Sequence, residues 1–498
     1  MFKPRTIVLI LASILSTGAL ALDDNNTAKP NLQPAFDETT SSLADQQSVA
    51  VTIYNGDLAL VKDTRKVQIK SGLNSLALRD VSAQIRPETA LLRSINAPGS
   101  LIMLEQNFDF DLLTPQKLLE KYVGKTVGLV KVHPTTGAET IEQATVLSVN
   151  NGVVMKVGRR IETGQAFTNE KFGRIVYDNV PANLRDRPTL VTQINNKGAQ
   201  DQTIELSYLT GGLGWKADYV AELNDKEDKL DLSGWVTLTN TSGTNYKKAK
   251  LQLVAGDVNH VQQSLAPLVK TMRMDDMAAQ TVAPMAEESL LEYHLYTVDR
   301  LTTINDNQTK QVALLSASGV PVSKELLLKG EDYYYQGQYG EIGTKMKVGV
   351  FVEFDNREAN KLGMPLPKGI LRVYKKDSVG NAQFVGEDNI DHTPKNEIVR
   401  LKLGNSFDVT ADKKQTDFKV LPNPQKNHNA FESAHEITLK NAKKQKVVVI
   451  VQEPINGDWK ILSESQNHNK VNSHLAEWKI EIPAESSTKL TYRALVKY

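Results

Sequence analysis

The stretch VGEDNIDHTPKNE gathers the chain's densest set of groups able to exchange protons or bind metal: Glu387, Asp388, Asp391, His392 and Glu397. Carboxylates and an imidazole this close can hold a divalent cation or serve as general acid and base. Asp391 through Pro394 also spells an ordinary turn before the strand EIVRLKL, and a zinc site would need more imidazoles. His294, His435 and His474 are the distant candidates, and nothing in their spacing brings them near. A second stretch, GEDYYYQGQYGEIG, carries Tyr333, Tyr334, Tyr335 and Tyr339. Read as a strand, it turns consecutive tyrosines to opposite faces, so one side meets solvent. Exposed rings stack on sugars or grip a protein partner. The plainer reading is a half-buried strand edge.

Familiar nucleophile and metal signatures are missing. Leu315-Ser316-Ala317-Ser318-Gly319 lacks the first glycine of GxSxG, and His435-Glu436 runs into Ile-Thr-Leu instead of closing HExxH. Ser486 through Lys489 spells SxxK without its companion motifs. Asp109 and Asp111 lack the glycine and terminal glutamate of a calcium loop. These absences argue against the common hydrolases.

The glycines of YLTGGLGWKADYVAEL raise the question of a phosphate cradle. Such a loop must lead into a helix whose amides face the anion. Here Trp215, Ala217, Tyr219, Ala221 and Leu223 follow at a period of two, which is a strand. Gly211 and Gly212 therefore serve a sharp connection, with Trp215 as an anchor beneath it.

The same period runs through most of the chain. Val49, Val51 and Ile53 alternate up to an Asn55-Gly56 turn, and Leu58, Leu60, Val67, Ile69, Leu76 and Leu78 continue the pattern. One early helix is expected after Thr114, with Pro115 at its first position and Gly124 as its stop. From Thr126 to Ile161 alternation returns with close-set turns. Three hairpins then recur, each with a strand ending at an asparagine (Asn195, Asn240, Asn441) before a polar turn. Hairpins of this form build immunoglobulin-like sandwiches.

The sequence thus predicts a mostly β protein of several antiparallel β-sandwiches built from immunoglobulin-like hairpins, with a small inserted barrel-like module and few short helices. The expected division is a signal peptide over 1–21, a disordered leader over 22–46, an N-terminal β domain over 47–187 with the module at about 122–165, and a β-sandwich region over 188–498. Residues 265–290, with Met272, Met274, Met277 and Met285, read as a mobile insertion.

Lys3 and Arg5 precede an apolar run and the small-residue pattern Ala19-Leu20-Ala21, so export with cleavage after Ala21 is expected. That run is shorter than the ~20 residues a membrane span needs, and no later stretch qualifies. With no cysteine, disulfides and thiolate metal sites are excluded. A formal net charge of +1 with interspersed signs leaves no electrostatic footprint for nucleic acid.

The strings YLTGGLGWKADYVAELNDKEDKLDLSGWVTLTNTSGTNYKKAKLQLVAGDVN, GILRVYKKDSVGNAQFVGEDNIDHTPKNEIVRLKLGNSFDV and WKIEIPAESSTKLTYRALVKY resemble the domain-of-unknown-function 4139 family across residues 188–498. The string NGDLALVKDTRKVQIKSGLNSL resembles the domain that often precedes it. This resemblance implies an exported β-rich protein of Gram-negative bacteria, a related branch being labelled mucoidy inhibitor. It brings no catalytic residue or substrate. The expectation is a periplasmic or secreted cell-envelope protein that binds or scaffolds an envelope protein or polysaccharide, with no cofactor. Two alternatives stand beside it: a metal-dependent hydrolase at Glu387, Asp388, Asp391 and His392, and a polysaccharide-binding module at the tyrosine-rich stretch.

Overall fold

The structure is a computed structural model that describes residues 38–133, 135–150, 152–164, 174–181, 184–256, 258–259, 285–422 and 430–498. The expected signal peptide, residues 22–37 of the leader and residues 265–284 of the Met-rich stretch lie outside the described residues. Strands dominate, and Pro115–Lys121 is the one α-helix among the described residues. Thr114 caps it as expected, its hydroxyl accepting from the Lys117 amide at 3.1 Å.

Five sheets result from the alternation. A four-stranded sheet runs Glu38–Ser41, Gly72–Arg79, Thr189–Asn196 and Leu101–Asp109 in spatial order. A larger sheet is centred on Tyr246–Ala255, Gln46–Tyr54, Leu58–Gln68 and Asp201–Thr210. A third, five-stranded, sets Lys229–Asn240 and Leu213–Leu223 beside Gly369–Lys376 and Ala382–Ile390. The inserted module is the fourth, with Glu139–Ser148 and Thr126–Val132 at its centre. Its strands form an open path, not a closed barrel, over a small core of Val127, Leu129, Val146 and Met155.

The fifth, nine-stranded sheet carries the C-terminal half, with Ile398–Leu421, Glu341–Asp355, Ser323–Lys329 and Val447–Pro454 as neighbours. Tyr492 and Trp478 lie on strands far apart in its order, Ser486–Lys497 and Leu475–Ile482, yet share one core. The sheet must therefore fold over on itself.

Antiparallel pairing prevails, but Gln46–Tyr54 pairs parallel with Tyr246–Ala255, and Leu213–Leu223 with Gly369–Lys376. The mostly β expectation holds, with these parallel pairs set among the antiparallel ones. These parallel joins tie distant segments together. As a result Val51, Leu76, Leu190, Leu253, Tyr219, Leu371 and Leu401 all belong to one core. Residues on both sides of the expected 187/188 boundary contribute to that core.

Residues 38–46, read from composition as leader, form the strand Glu38–Ser41 and a 3-10 turn. Arg185 supplies the reason, bridging Glu38 at 2.8 Å and Asp109 at 2.9 Å. Met285 is buried and Ala286–Leu290 is a strand paired with Tyr293–Thr297, so the end of the Met-rich stretch is ordered.

The recurring asparagine has a specific job. Asn240 accepts from the Ser242 amide at 3.0 Å and donates to the Thr244 carbonyl at 2.9 Å. Asn441 does the same with Lys443 and Gln445. In the first hairpin the buried residue with this role is Asn196, bonded to Gly198 and Ala199, rather than the expected Asn195. The glycine connection is structural as well: Gly212 has φ +75°, and a Cβ there would meet Ser242 Cα at 2.7 Å.

Candidate functional site

The GEDNIDHTP residues are spent separately. Glu387 pairs with Arg372 at 3.1 Å. Asp388, next along the strand, accepts from the backbone amides of Lys402 and Asn389 at 2.8 and 2.9 Å. Asp391 contributes its carbonyl to the Thr393 hydroxyl, and His392 Nδ1 accepts from the Lys368 amide at 3.3 Å. The distant histidines do not converge on it: His294 contacts Glu287, His474 contacts Ser473, and His435 lies in the C-terminal core. Among the described residues no three His, Asp or Glu side chains gather where they could hold a metal ion. Glu387, Asp388, Asp391 and His392 are thus not brought together as a ligand set among the described residues.

The tyrosine-rich stretch is a turn, not the strand expected. Asp332–Tyr335 is a 3-10 helix, whose three residues per turn point successive side chains in three directions. Tyr334 and Tyr335 go inward, while Tyr333 and Tyr339 stay 48% and 43% exposed. The exposed rings meet edge to face, 5.6 Å between centroids, and Tyr333 also packs on Tyr334 at 4.8 Å. Gln415 fastens the loop, accepting from the Tyr339 amide at 2.8 Å and donating to the Gly337 carbonyl at 2.9 Å. Asn456 donates to Asp332 at 2.7 Å at the other end.

Beneath this platform lies a buried polar network. Lys413 and Glu453, each with a 0% exposed side chain, pair at 2.6 Å across the folded sheet. Tyr335 donates to the same Glu453 oxygen at 2.9 Å, and its hydroxyl lies 2.8 Å from that of Tyr492. The Lys413 ammonium sits 4.3 Å above the Tyr334 ring. His435 stacks on Tyr492 and packs against Tyr335. Burial pushes Lys413 below the usual lysine range, against the pull of Glu453, and drives Tyr335 and Tyr492 well above theirs. Burial and then the Lys413 charge push His435 down to about 2, so its ring is neutral. Gly330 makes room for the network, since a Cβ there would lie 2.3 Å from Glu453 Oε2.

An amine, a carboxylate, two phenols and an imidazole resemble the parts of a catalytic centre. Both charged side chains are fully buried beneath the turn. Through Tyr334 and Tyr335 they contact the turn that carries Tyr333 and Tyr339. Period-two reading could have found the pair. Val409, Ala411 and Lys413 share one inward face, and Val449, Val451 and Glu453 another.

No helix among the described residues is long and apolar enough to cross a membrane. Residues 204–498 match the family model described as "Domain of unknown function (DUF4139)". No curated protein matches the chain.

Proposed function

The chain belongs to this family of unknown function, and on that premise we propose that it is an exported cell-envelope protein acting by binding, not by catalysis. The surface that engages its partner is the Tyr333–Tyr339 pair, and the partner is an envelope polysaccharide. The observation carrying this reading is the pair itself: two half-exposed rings 5.6 Å apart on a turn fixed from below by Lys413, Glu453 and Tyr335. A rigid aromatic surface loses little entropy on binding, which suits weak, repeated contacts with sugar rings. The signal-peptide pattern of residues 1–21 supports export, with a mature N-terminus at Leu22.

Co-sedimentation of the mature protein with insoluble peptidoglycan and with exopolysaccharide tests the reading. Retention of wild type, lost in Tyr333→Ala/Tyr339→Ala, is the expected result. A wild type that stays in the supernatant with both materials would end it.

A further inference from the structure

A second surface, remote in sequence from the tyrosines, carries charge instead of rings. Across the outer face of the large sheet one register row reads Lys250, Ala50, Lys62 and Ser207. The row beside it includes Ser48, Thr64 and Glu205. Small side chains on Gln46–Tyr54 thus form a floor, with Lys62 on one bank and Lys247, Lys248 and Lys250 on the other. The trough so formed encloses about 760 Å³. None of these lysines forms an ion pair with a described carboxylate. The one acid lining the trough, Glu205, is already matched by Arg93 at 2.6 Å.

The backbone is bent to build this. Lys248 has φ +49°, a left-handed conformation unusual for a residue with a Cβ, and the strand register shifts between Tyr246 and Ala249. That bulge turns two consecutive side chains, Lys247 and Lys248, to the exposed face where regular alternation would allow one. Thr303 stabilises it, its hydroxyl accepting from the Lys248 amide at 3.1 Å. The bulge thus brings a second lysine from this edge to the trough.

We infer that this trough binds an anionic oligosaccharide, a hydroxylated sugar chain bearing carboxylates. The lysines meet the carboxylates, and Ser48 and Thr64 offer hydrogen bonds to the hydroxyls between them. Lysine suits an extended run of separate charges, since it acts as a point charge and does not demand a planar, bidentate partner.

The test is titration of the mature protein at low and moderate salt with oligogalacturonate, with neutral dextran oligomers, inorganic phosphate and phosphatidylglycerol vesicles as the other arms. Oligogalacturonate binding that weakens as salt rises, with no binding of dextran, is expected. Lys62→Gln/Lys250→Gln should weaken it at least tenfold. Lys248→Gly should also weaken it while relieving the backbone, so that a loss there is not a folding defect. Lys66→Gln, on the same strand but outside the trough, should bind like wild type. Equal affinity of Lys62→Gln/Lys250→Gln and wild type, binding to phosphate or vesicles alone, or no oligogalacturonate binding would overturn the assignment. Because it does not involve Tyr333 or Tyr339, its failure leaves the tyrosine surface untouched, and the reverse holds as well.

Discussion

Removing one member of the Lys413–Glu453 pair leaves the other charge buried without its counter-ion. Lys413→Met is therefore expected to cost about 3–5 kcal/mol. The double variant Lys413→Met/Glu453→Leu, which leaves no orphan charge, should cost much less than the sum of the single changes. Denaturant unfolding followed by fluorescence of Trp459 and Trp478, which lie in the same core, measures this. Additive costs would show that the two residues do not act as a unit. His435 adds a pH dependence of definite sign. Its ring titrates at about 2 when folded, against about 6.5 in the unfolded chain. Between those values only the unfolded chain takes up the proton, so stability is full above about 6.5 and falls as pH drops toward 2. His435→Phe removes this contribution. It should match wild type near neutrality and exceed it in acid, and an unchanged difference between the two pH values would contradict the assignment.

Turns and strands carry their own predictions. Asn196→Ala, Asn240→Ala and Asn441→Ala each leave buried backbone groups without partners, and each should cost about 1–3 kcal/mol in the same unfolding experiment. Asn195→Ala, one position away, should cost little, because its neighbour carries the turn. Alternation told which segments are strands, and asparagine chemistry told where they turn. Period two itself places Asn196, not Asn195, on the buried face with Leu190 and Ile194, so the inward asparagine is legible in the alternation. The tyrosine stretch was not legible in this way: aromatic residues favour strands, but the connection from Ser323–Lys329 to Glu341–Asp355 required a tight turn. Inward faces, by contrast, were legible. Lys413 and Glu453 sat on them, and only their pairing across the folded sheet was hidden, since it joins residues 40 apart in sequence.

The whole molecule is held by long-range pairing that crosses the domain boundary expected at 187/188. Tyr246–Ala255, within the family region, leans on Gln46–Tyr54, and their side chains share one core. A fragment of residues 188–498 is therefore expected to be protease-sensitive when made alone and to be protected when residues 38–187 are supplied. A fragment that resists proteolysis unaided would restore the boundary at 188. The candidate metal ligands were legible as residues but not as a site, because their partners depend on this same tertiary arrangement. Binding at the tyrosine pair remains the claim on which the functional reading rests. Its most direct test is the dissociation constant for solubilised exopolysaccharide fragments, wild type against Tyr333→Ala/Tyr339→Ala, with thermal melting measured alongside. The account predicts affinity weakened about tenfold or more with melting unchanged. Equal affinity in the two proteins would contradict it.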